Sequence, residues 1–302
     1  MRDLGLLVTH AYWPHETSVR DEPFAPHQVA RLTEALARHG LRLCPVFWED
    51  AGEAWNRFVA VLPLMAWGYP QNPVRFAAAL AEIEAAGVPL LNSLAVIAAN
   101  RDKGYLVELS LAGAPVPATI AIDAATPEAI RAAMAELGCA EAVVKPRVGA
   151  GAWRQARVRV DSPLPPAEEL PAGHALVQPF LPAVASEGEM SVLVFGGVAS
   201  HALRKMPKPG DYRTQGHHGA TETPAPLTDD LRQAVGQVLA MADPAGDLAY
   251  ARVDFVRGPD GGWLLMELEL IEPFLYLAQD GTDGVHGARL FAEAVAARLP
   301  AA

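Results

Sequence analysis

Two short segments carry acid and guanidinium side chains at a spacing suited to cation binding. Ala251-Arg252-Val253-Asp254-Phe255 and Met266-Glu267-Leu268-Glu269-Leu270-Ile271-Glu272-Pro273 both alternate apolar and polar residues, the pattern of half-buried strands. Gly258-Pro259-Asp260-Gly261-Gly262 supplies the turn signal between them. With a loop over residues 259–262, Asp254 falls opposite Glu267 and Arg252 opposite Glu269. Side chains two apart share a face, so three carboxylates and one guanidinium converge on one patch. Two carboxylates about 4 Å apart repel by roughly 4 kcal/mol at an effective dielectric of about 20. Like charges across a ladder destabilise a sheet unless something neutralises them. A hard divalent cation does so, and Mg²⁺ held by a few carboxylates plus phosphates is the usual arrangement. The plain alternative is an edge hairpin with a solvated polar face, although lysine is normally mixed into such a face.

Further signals lie upstream. Ala142-Val143-Val144-Lys145-Pro146 ends an apolar strand in a lysine, and the small residues Gly149-Ala150-Gly151-Ala152 follow. Glycines let backbone N–H groups approach phosphate oxygens, and the lysine adds a point charge. No Gly-Lys-Ser/Thr follows, so this is not a Walker A loop, and a solvated strand end is the alternative. Asn100-Arg101-Asp102-Lys103 sits in a helical stretch and by itself reads as an exposed polar patch. Gln178-Pro179-Phe180-Leu181 leaves a strand as a hinge would. Lys205 and Arg213 place cations on and after another strand, where either phosphate or solvent can meet them. His217-His218 lacks a third ligand and reads as solvent-facing rather than as a zinc site.

The elements that must position these residues begin with an alternation of strands (4–9, 41–48, 58–65, 88–91) and helices (26–39, 73–86). Gly40 and Gly87 stop the two helices. Such alternation implies a parallel sheet covered by helices, and no Gly-x-Gly-x-x-Gly follows its first strand. Residues 93–113 read as helical. A small unit follows, with strands at 117–122, 141–146 and 175–180, a helix at 127–137 and a proline-rich connection at 161–173. Then come strands at 190–195 and 198–206, a long polar loop at 207–226, a helix at 228–242, the hairpin and a last helix at 284–299. A loop of that length in a compact domain reads as a lid or binding loop.

The order of the motifs is more specific than any one of them. Asn100-x-x-Lys103, Val143-Val144-Lys145-Pro146, Gln178-Pro179-Phe180-Leu181, Gly188-Glu189, Lys205-x-Pro207 with Arg213, Arg252-x-Asp254 and Glu267-x-Glu269 together resemble the ATP-grasp superfamily. The resemblance runs from about residue 93 to 281 and favours the branch of prokaryotic glutathione synthetase-like, RimK-like and D-cycloserine synthetase-like ligases. It implies an α/β (α+β) ATP-grasp fold in three parts. These are a pre-ATP-grasp domain with a parallel sheet (1–93), linker helices with a central lid subdomain (94–182), and a mixed antiparallel C-terminal subdomain with the metal site (183–302).

It also implies roles. Lys103 and Lys145 would hold phosphates near Gly149 and Gly151, while Gln178, Phe180 and Leu181 would border adenine and Glu189 the ribose. Lys205 and Arg213 would face the triphosphate and acyl phosphate, Arg252 the developing oxyanion, and Asp254, Glu267 and Glu269 the Mg²⁺, for which Mn²⁺ could substitute. The implied activity is an ATP-dependent, ADP-forming ligation of a carboxylate to an amine on small amino-acid-like substrates, between molecules or within one. A small-molecule kinase and a non-catalytic nucleotide binder are the alternatives. Relatives of the cycloserine branch carry an arginine and an aspartate around a Trp–Tyr motif. Here Ala66-Trp67-Gly68-Tyr69-Pro70 has neither charge, and His10, Tyr12, Trp13, His15 and Arg20 follow the first strand, so an unusual substrate is expected.

Composition sets the outer bounds. With 302 residues, 51% hydrophobic and 20% charged, the chain can build a large core of two or three subdomains. A net charge of −11 argues against nucleic acid as a partner. No apolar run reaches the roughly 20 residues of a membrane span, and the start lacks a signal pattern. Cys44 and Cys139 read as reduced thiols of a cytoplasmic protein, which could pair as a homodimer.

Overall fold

The computed structural model describes residues 1–11, 13 and 25–300. Its first sheet is parallel, in the order β2-β1-β3, from β1 (Arg2–Val8), β2 (Leu41–Phe47) and β3 (Phe58–Leu62). Helix α1 (Ala25–Ala37) makes the crossover from β1 to β2, and α2 (Pro73–Ala85) follows β3. Asn72 caps α2 by accepting from the Arg75 amide, and Pro73 takes the first turn, where its missing N–H costs nothing. The strand expected at 88–91 shrinks to one parallel bridge, Val61 to Leu90. Beyond it Asn92 is committed elsewhere, bonding Tyr250, Leu270 and Ala249.

The helical stretch expected at 93–113 is two helices, α3 (Leu94–Asn100) and α4 (Tyr105–Leu111). The break has a local cause. The Lys103 amide donates to the Arg147 carbonyl at 2.8 Å instead of to its own helix, and Asp102 accepts from the Gly104 amide at 2.8 Å.

A second, antiparallel sheet follows in the order β4-β7-β5-β6. It consists of β4 (Ile120–Ile122), β5 (Glu141–Pro146), β6 (Ala156–Arg159) and β7 (Ala175–Pro179), with α5 (Pro127–Glu136) packed on it through Ile130, Ala133 and Met134. Sequence pattern does not single out β6, because one Ala-Arg-Val-Arg alternation is too short to stand out.

After the one-turn α6 (Ala183–Ser186) comes the third sheet, antiparallel in the order β10-β9-β8-β11-β12. Its strands are β8 (Glu189–Phe195), β9 (Val198–Met206), β10 (Thr221–Ala225), β11 (Tyr250–Arg257) and β12 (Trp263–Glu269), joined by α7 (Asp229–Ala242) and closed by α8 (Val285–Ala296). One face buries Val192, Val253 and Phe255 with Leu231 and Val238 of α7 and Leu106 of α4. The other buries Leu193, Phe195 and Tyr250 with Phe291 of α8 and with Leu4, Leu6 and Leu32 of the first unit. The region expected as one long loop therefore contains β10, an exposed edge strand whose Thr-Glu-Thr-Pro-Ala gives no apolar signal.

The hairpin register is Arg252 to Glu269 and Asp254 to Glu267, as the alternation implies. It is reached by a different route, however. Arg257 pairs with Trp263, leaving a five-residue loop, and a bulge at Asp254/Phe255 restores the pairing. Among the described residues no helix is long and apolar enough to cross a membrane.

Candidate active site

The site is built where α3, α4 and the second sheet meet the outer edge of β12. An edge strand leaves a row of backbone groups unpaired, and here side chains fill it. Asn100 donates to the Leu268 carbonyl at 2.7 Å and accepts from the Leu270 amide at 3.0 Å. The Tyr105 hydroxyl donates to the same carbonyl at 3.1 Å and accepts from the Leu268 amide at 2.9 Å. Lys145 donates to the Met266 carbonyl at 3.2 Å. This edging brings the α3–α4 break against the acids, so Lys103 Nζ lies 2.9 Å from Glu267 and 2.5 Å from the Gly149 carbonyl.

Asp254, Glu267 and Glu269 each offer an oxygen within 4.8 Å of the others. Arg252, 7% exposed, pairs with Asp254 at 2.9 Å and also with Glu269. Lys205, 3% exposed, lies 2.6 Å from Glu189 and 3.5 Å from Asp254, whose other oxygen accepts from the Ser191 hydroxyl at 2.6 Å.

Burial opposes the charge of every one of these groups, and the partners decide the outcome. Burial raises Asp254, but Arg252 and Lys205 outweigh it and hold the carboxyl at about 2. Burial likewise raises Glu267, and Lys103 and Lys145 more than reverse it. Glu269 is pushed up to about 7 by burial and by the neighbouring Glu267 and Asp254, against the pull of Arg252. Lys145 is drawn down to about 8 by burial, against the attraction of Glu267. Lys205 goes the other way, because Asp254 and Glu189 overcome its burial.

In front of this cluster a cleft of about 860 Å³, open at its mouth, runs between the second and third sheets. Its wall includes Lys103, Lys145, Gly149, Gly151, Gln178, Phe180, Leu181, Glu189, Arg213 and Glu267. Asp254, Glu269, Arg252 and Lys205 stand behind them, reached through the Lys103–Glu267 and Lys205–Glu189 pairs. The Gln178 side chain is spent on Thr119 at 2.8 Å, so only its backbone faces the cleft freely. Phe180 packs edge-on to Tyr212 at 6.0 Å, with the Arg157 guanidinium 3.7 Å from its ring centre. Arg213 is held by both oxygens of Asp211 at 2.7 and 3.0 Å.

The glycine loop is conformationally unusual. Gly151 has φ +62°, and Ala152 and Arg154 also take positive φ, at 56° and 51°. Strain of this kind concentrates at functional loops. His217 and His218 point at the Gly151 carbonyl at 3.2 and 3.3 Å, and the Tyr212 hydroxyl reaches the Gln155 carbonyl at 3.2 Å. The histidine pair expected to face solvent thus touches the glycine loop, although His217 remains exposed.

Sequence reasoning missed Ser191, Thr119, Tyr105 and Tyr212, single polar residues in apolar or mixed contexts with no spacing to mark them. Of the segment after β1, His10 stacks on Phe47 at 3.9 Å and meets Asp50 at 3.0 Å. Trp13 packs edge-on to Phe47, while Tyr12, His15 and Arg20 lie outside the described residues. Trp67 donates to the Glu272 carbonyl at 2.9 Å.

Residues 6–92 match the N-terminal domain of D-cycloserine synthetase DcsG. Over 294 residues the chain is 30% identical to the cycloserine biosynthesis protein DcsG of Streptomyces lavendulae, spanning 89% of this chain and 92% of that protein. The chain belongs to the DcsG family of ATP-grasp ligases. The crystal structure of D-cycloserine synthetase DcsG superposes with a TM-score of 0.83 at 26% identity, over 99% of this chain and 100% of that one. The ATP-grasp ligase PsnB, solved with a phosphomimetic variant of its minimal precursor, Mg and ADP, shares the fold, with a TM-score of 0.61 at 20% identity over 98% of each chain.

As a member of this family the protein is an ATP-dependent ligase that forms a C–N bond, and its fold neighbour PsnB is solved with Mg and ADP. The donor set fits the metal: three carboxylates clustered on one patch, two of them at least partly ionised against their burial, are hard oxygen ligands. Two buried lysines beside a glycine loop likewise fit a polyphosphate.

Proposed function

We propose that this chain ligates a small amino-acid-like carboxylate to an amine, within one molecule or between two, at the junction of the cleft and the Arg252 cluster. In this reading residues 1–93, 94–182 and 183–302 form the acceptor-side, lid and catalytic units. The observation that carries it is the convergence of Lys103, Lys145, Lys205 and Arg252 on Asp254, Glu267 and Glu269. A structural ion-pair network has no need to place a glycine loop and an 860 Å³ cleft against one side.

Bound MgATP would supply a phosphoryl group that turns a substrate carboxylate into an acyl phosphate, with ADP leaving. Asp254, Glu267 and Glu269 would hold the metal, and Lys103 and Lys145 the phosphates over Gly149 and Gly151. Phe180 and Leu181, with the Gln178 backbone, would border the base, and Glu189 the ribose. Arg252 would face the oxygen on which negative charge develops, a contribution of preorganised electrostatics rather than of covalent chemistry. Lys205 keeps Glu189 and Asp254 in place, and Arg213, braced by Asp211, would meet the transferred phosphoryl oxygens. The contacts of Tyr212, His217 and His218 with the glycine loop would keep water out of the cleft.

The test is an ADP-release screen over D- and L-amino acids and dipeptides, with mass spectrometry of the products. ADP formed together with a condensed product is the expected result. A stable phosphorylated product without condensation would replace the ligase reading by a kinase.

A further inference from the structure

The roles assigned above leave one carboxylate on the active face of the third sheet unused. Glu222 of β10 stands opposite Lys205 of β9, which in turn stands opposite Glu189 of β8. Directly opposite side chains share a face. Ser191, two residues past Glu189, is the register partner of Asp254, and Asp254 that of Glu267. Residues two apart on a strand also share a face, so Glu222 lies on the face of Lys205, Glu189, Asp254 and Glu267.

The other acids of that face are each committed to a cation: Glu189 to Lys205, Asp254 to Arg252 and Lys205, Glu267 to Lys103, and Glu269 to Arg252. Glu222, half-buried, makes no ion pair among the described residues; its Oε1 accepts from the Tyr276 hydroxyl at 3.1 Å. The same oxygen lies 3.5 Å from the point where a Cβ on Gly216 would sit. Gln215, the residue before, is on the wall of the cleft two positions past Arg213, and its Oε1 is buried without a hydrogen bond among the described residues. Two acceptors short of donors therefore adjoin Gly216. Tyr276 is only 8% exposed and has φ +47°, a costly conformation for a bulky residue. Phe274 packs edge-on to its ring at 4.9 Å, and the Arg252 guanidinium lies over that ring at 5.8 Å. One strained tyrosine thus links the uncommitted carboxylate to the arginine proposed to face the oxyanion.

An ammonium has three N–H donors and no acceptor, and an ionised carboxylate is its strongest partner. A carboxylate kept clear of Lys205 and Arg252 is free for a cation that the substrate brings in. We infer that Glu222 receives the amine of the substrate, with Gln215 as a second acceptor and Tyr276 as the residue that positions the carboxylate. The inference rests on the ligase reading and deepens it, since the cationic groups assigned above handle anionic oxygens and none of them selects an amine. Strands β10 and β12 are the opposite edges of the sheet. The amine is therefore held on one side of Arg252 and the proposed metal ligands of β12 on the other.

The experiment uses the amino acid that gives the fastest ADP release from the full-length wild-type protein, together with the analogue in which a hydroxyl replaces its amine. Glu222→Gln should raise the KM of the amino acid about tenfold or more and shrink the preference for the amine over the hydroxyl, with ADP affinity within about twofold of wild type. Tyr276→Phe keeps the ring beside Arg252 and removes the hydroxyl that holds Glu222, so it should raise the same KM by a smaller factor. In the double variant Tyr276→Phe should add nothing to Glu222→Gln, because the hydroxyl acts only through that carboxylate. An unchanged KM or amine preference in Glu222→Gln, or a Tyr276→Phe effect that persists in full in the double variant, overturns this inference and leaves the ligase reading standing. ADP binding without release on any amino acid overturns both.

Discussion

The Lys103 ammonium stands 2.9 Å from the Glu267 carboxylate, joining the α3–α4 break to the second strand of the hairpin. Glu267 thereby stands between two kinds of charge, the lysine in front and the acids Asp254 and Glu269 behind. Glu267→Gln keeps the shape and removes the charge. Mg²⁺-dependent ADP formation should fall by about 10²–10³-fold, while the thermal midpoint shifts by only a few degrees. Steady-state ADP release and a melting curve check both. Turnover within a few-fold of wild type would remove Glu267 from the metal site.

Arg252 calls for a more careful substitution. It is buried between Asp254 and Glu269, and truncating it leaves Glu269 unpaired among the described residues and Asp254 with Lys205 as its only cation, a loss of about 3–5 kcal/mol. Arg252→Lys preserves the charge but loses the fork that reaches both carboxylates. Turnover should drop roughly 10²-fold, with ADP affinity nearly unchanged by calorimetry. Weakened ADP binding with normal kcat would contradict an oxyanion role.

Much of this was legible because alternation encodes a face. Arg252, Asp254, Glu267 and Glu269 fall on one patch in sequence as they do in space, even though the loop and bulge that produce their register differ from the simplest hairpin. The edging of β12 was not legible. Asn100 and Tyr105 act through hydrogen bonds to backbone more than 160 residues away, and no local pattern announces such a contact. The split of the helix at Lys103 has the same origin, since the Arg147 carbonyl that captures its amide lies just past the end of β5, 44 residues further along the chain. Strands β6 and β10 escaped because exposed edges carry too few apolar residues to show a period.

Lys145 gives a pH signature. Burial draws its ammonium down to about 8 in the free protein, whereas a lysine against phosphate keeps its proton. Above about pH 8 the free protein has lost that proton, so ADP binding must take one up. Affinity should therefore fall as pH rises from about 8 toward the ordinary lysine value of about 10.5, by at most tenfold per unit. Calorimetry at pH 8.5 (about half a unit above the shifted value) in buffers of different ionisation enthalpy should show proton uptake in wild type and none in Lys145→Met. Equal uptake in the two proteins would assign the proton elsewhere.

Gly188 tests how the backbone fixes the Glu189–Lys205 pair. Its φ is +84°, and a Cβ there would lie 2.6 Å from Met206 Sδ and 2.7 Å from the Lys205 carbonyl. The methionine can swing away, but the carbonyl belongs to β9, whose Lys205 is register partner to Glu189. Gly188→Ala should therefore push the two strands apart at the pair itself, costing about 1–3 kcal/mol in urea unfolding and weakening ADP binding. Gly197 is the control: its φ is +81°, yet nothing lies within 4 Å of the added Cβ. Gly197→Ala pays only the conformational cost, about 1 kcal/mol, and should bind ADP as wild type does. If the two variants lose the same stability and neither loses ADP affinity, close approach at Gly188 is not what holds Glu189 at the cleft.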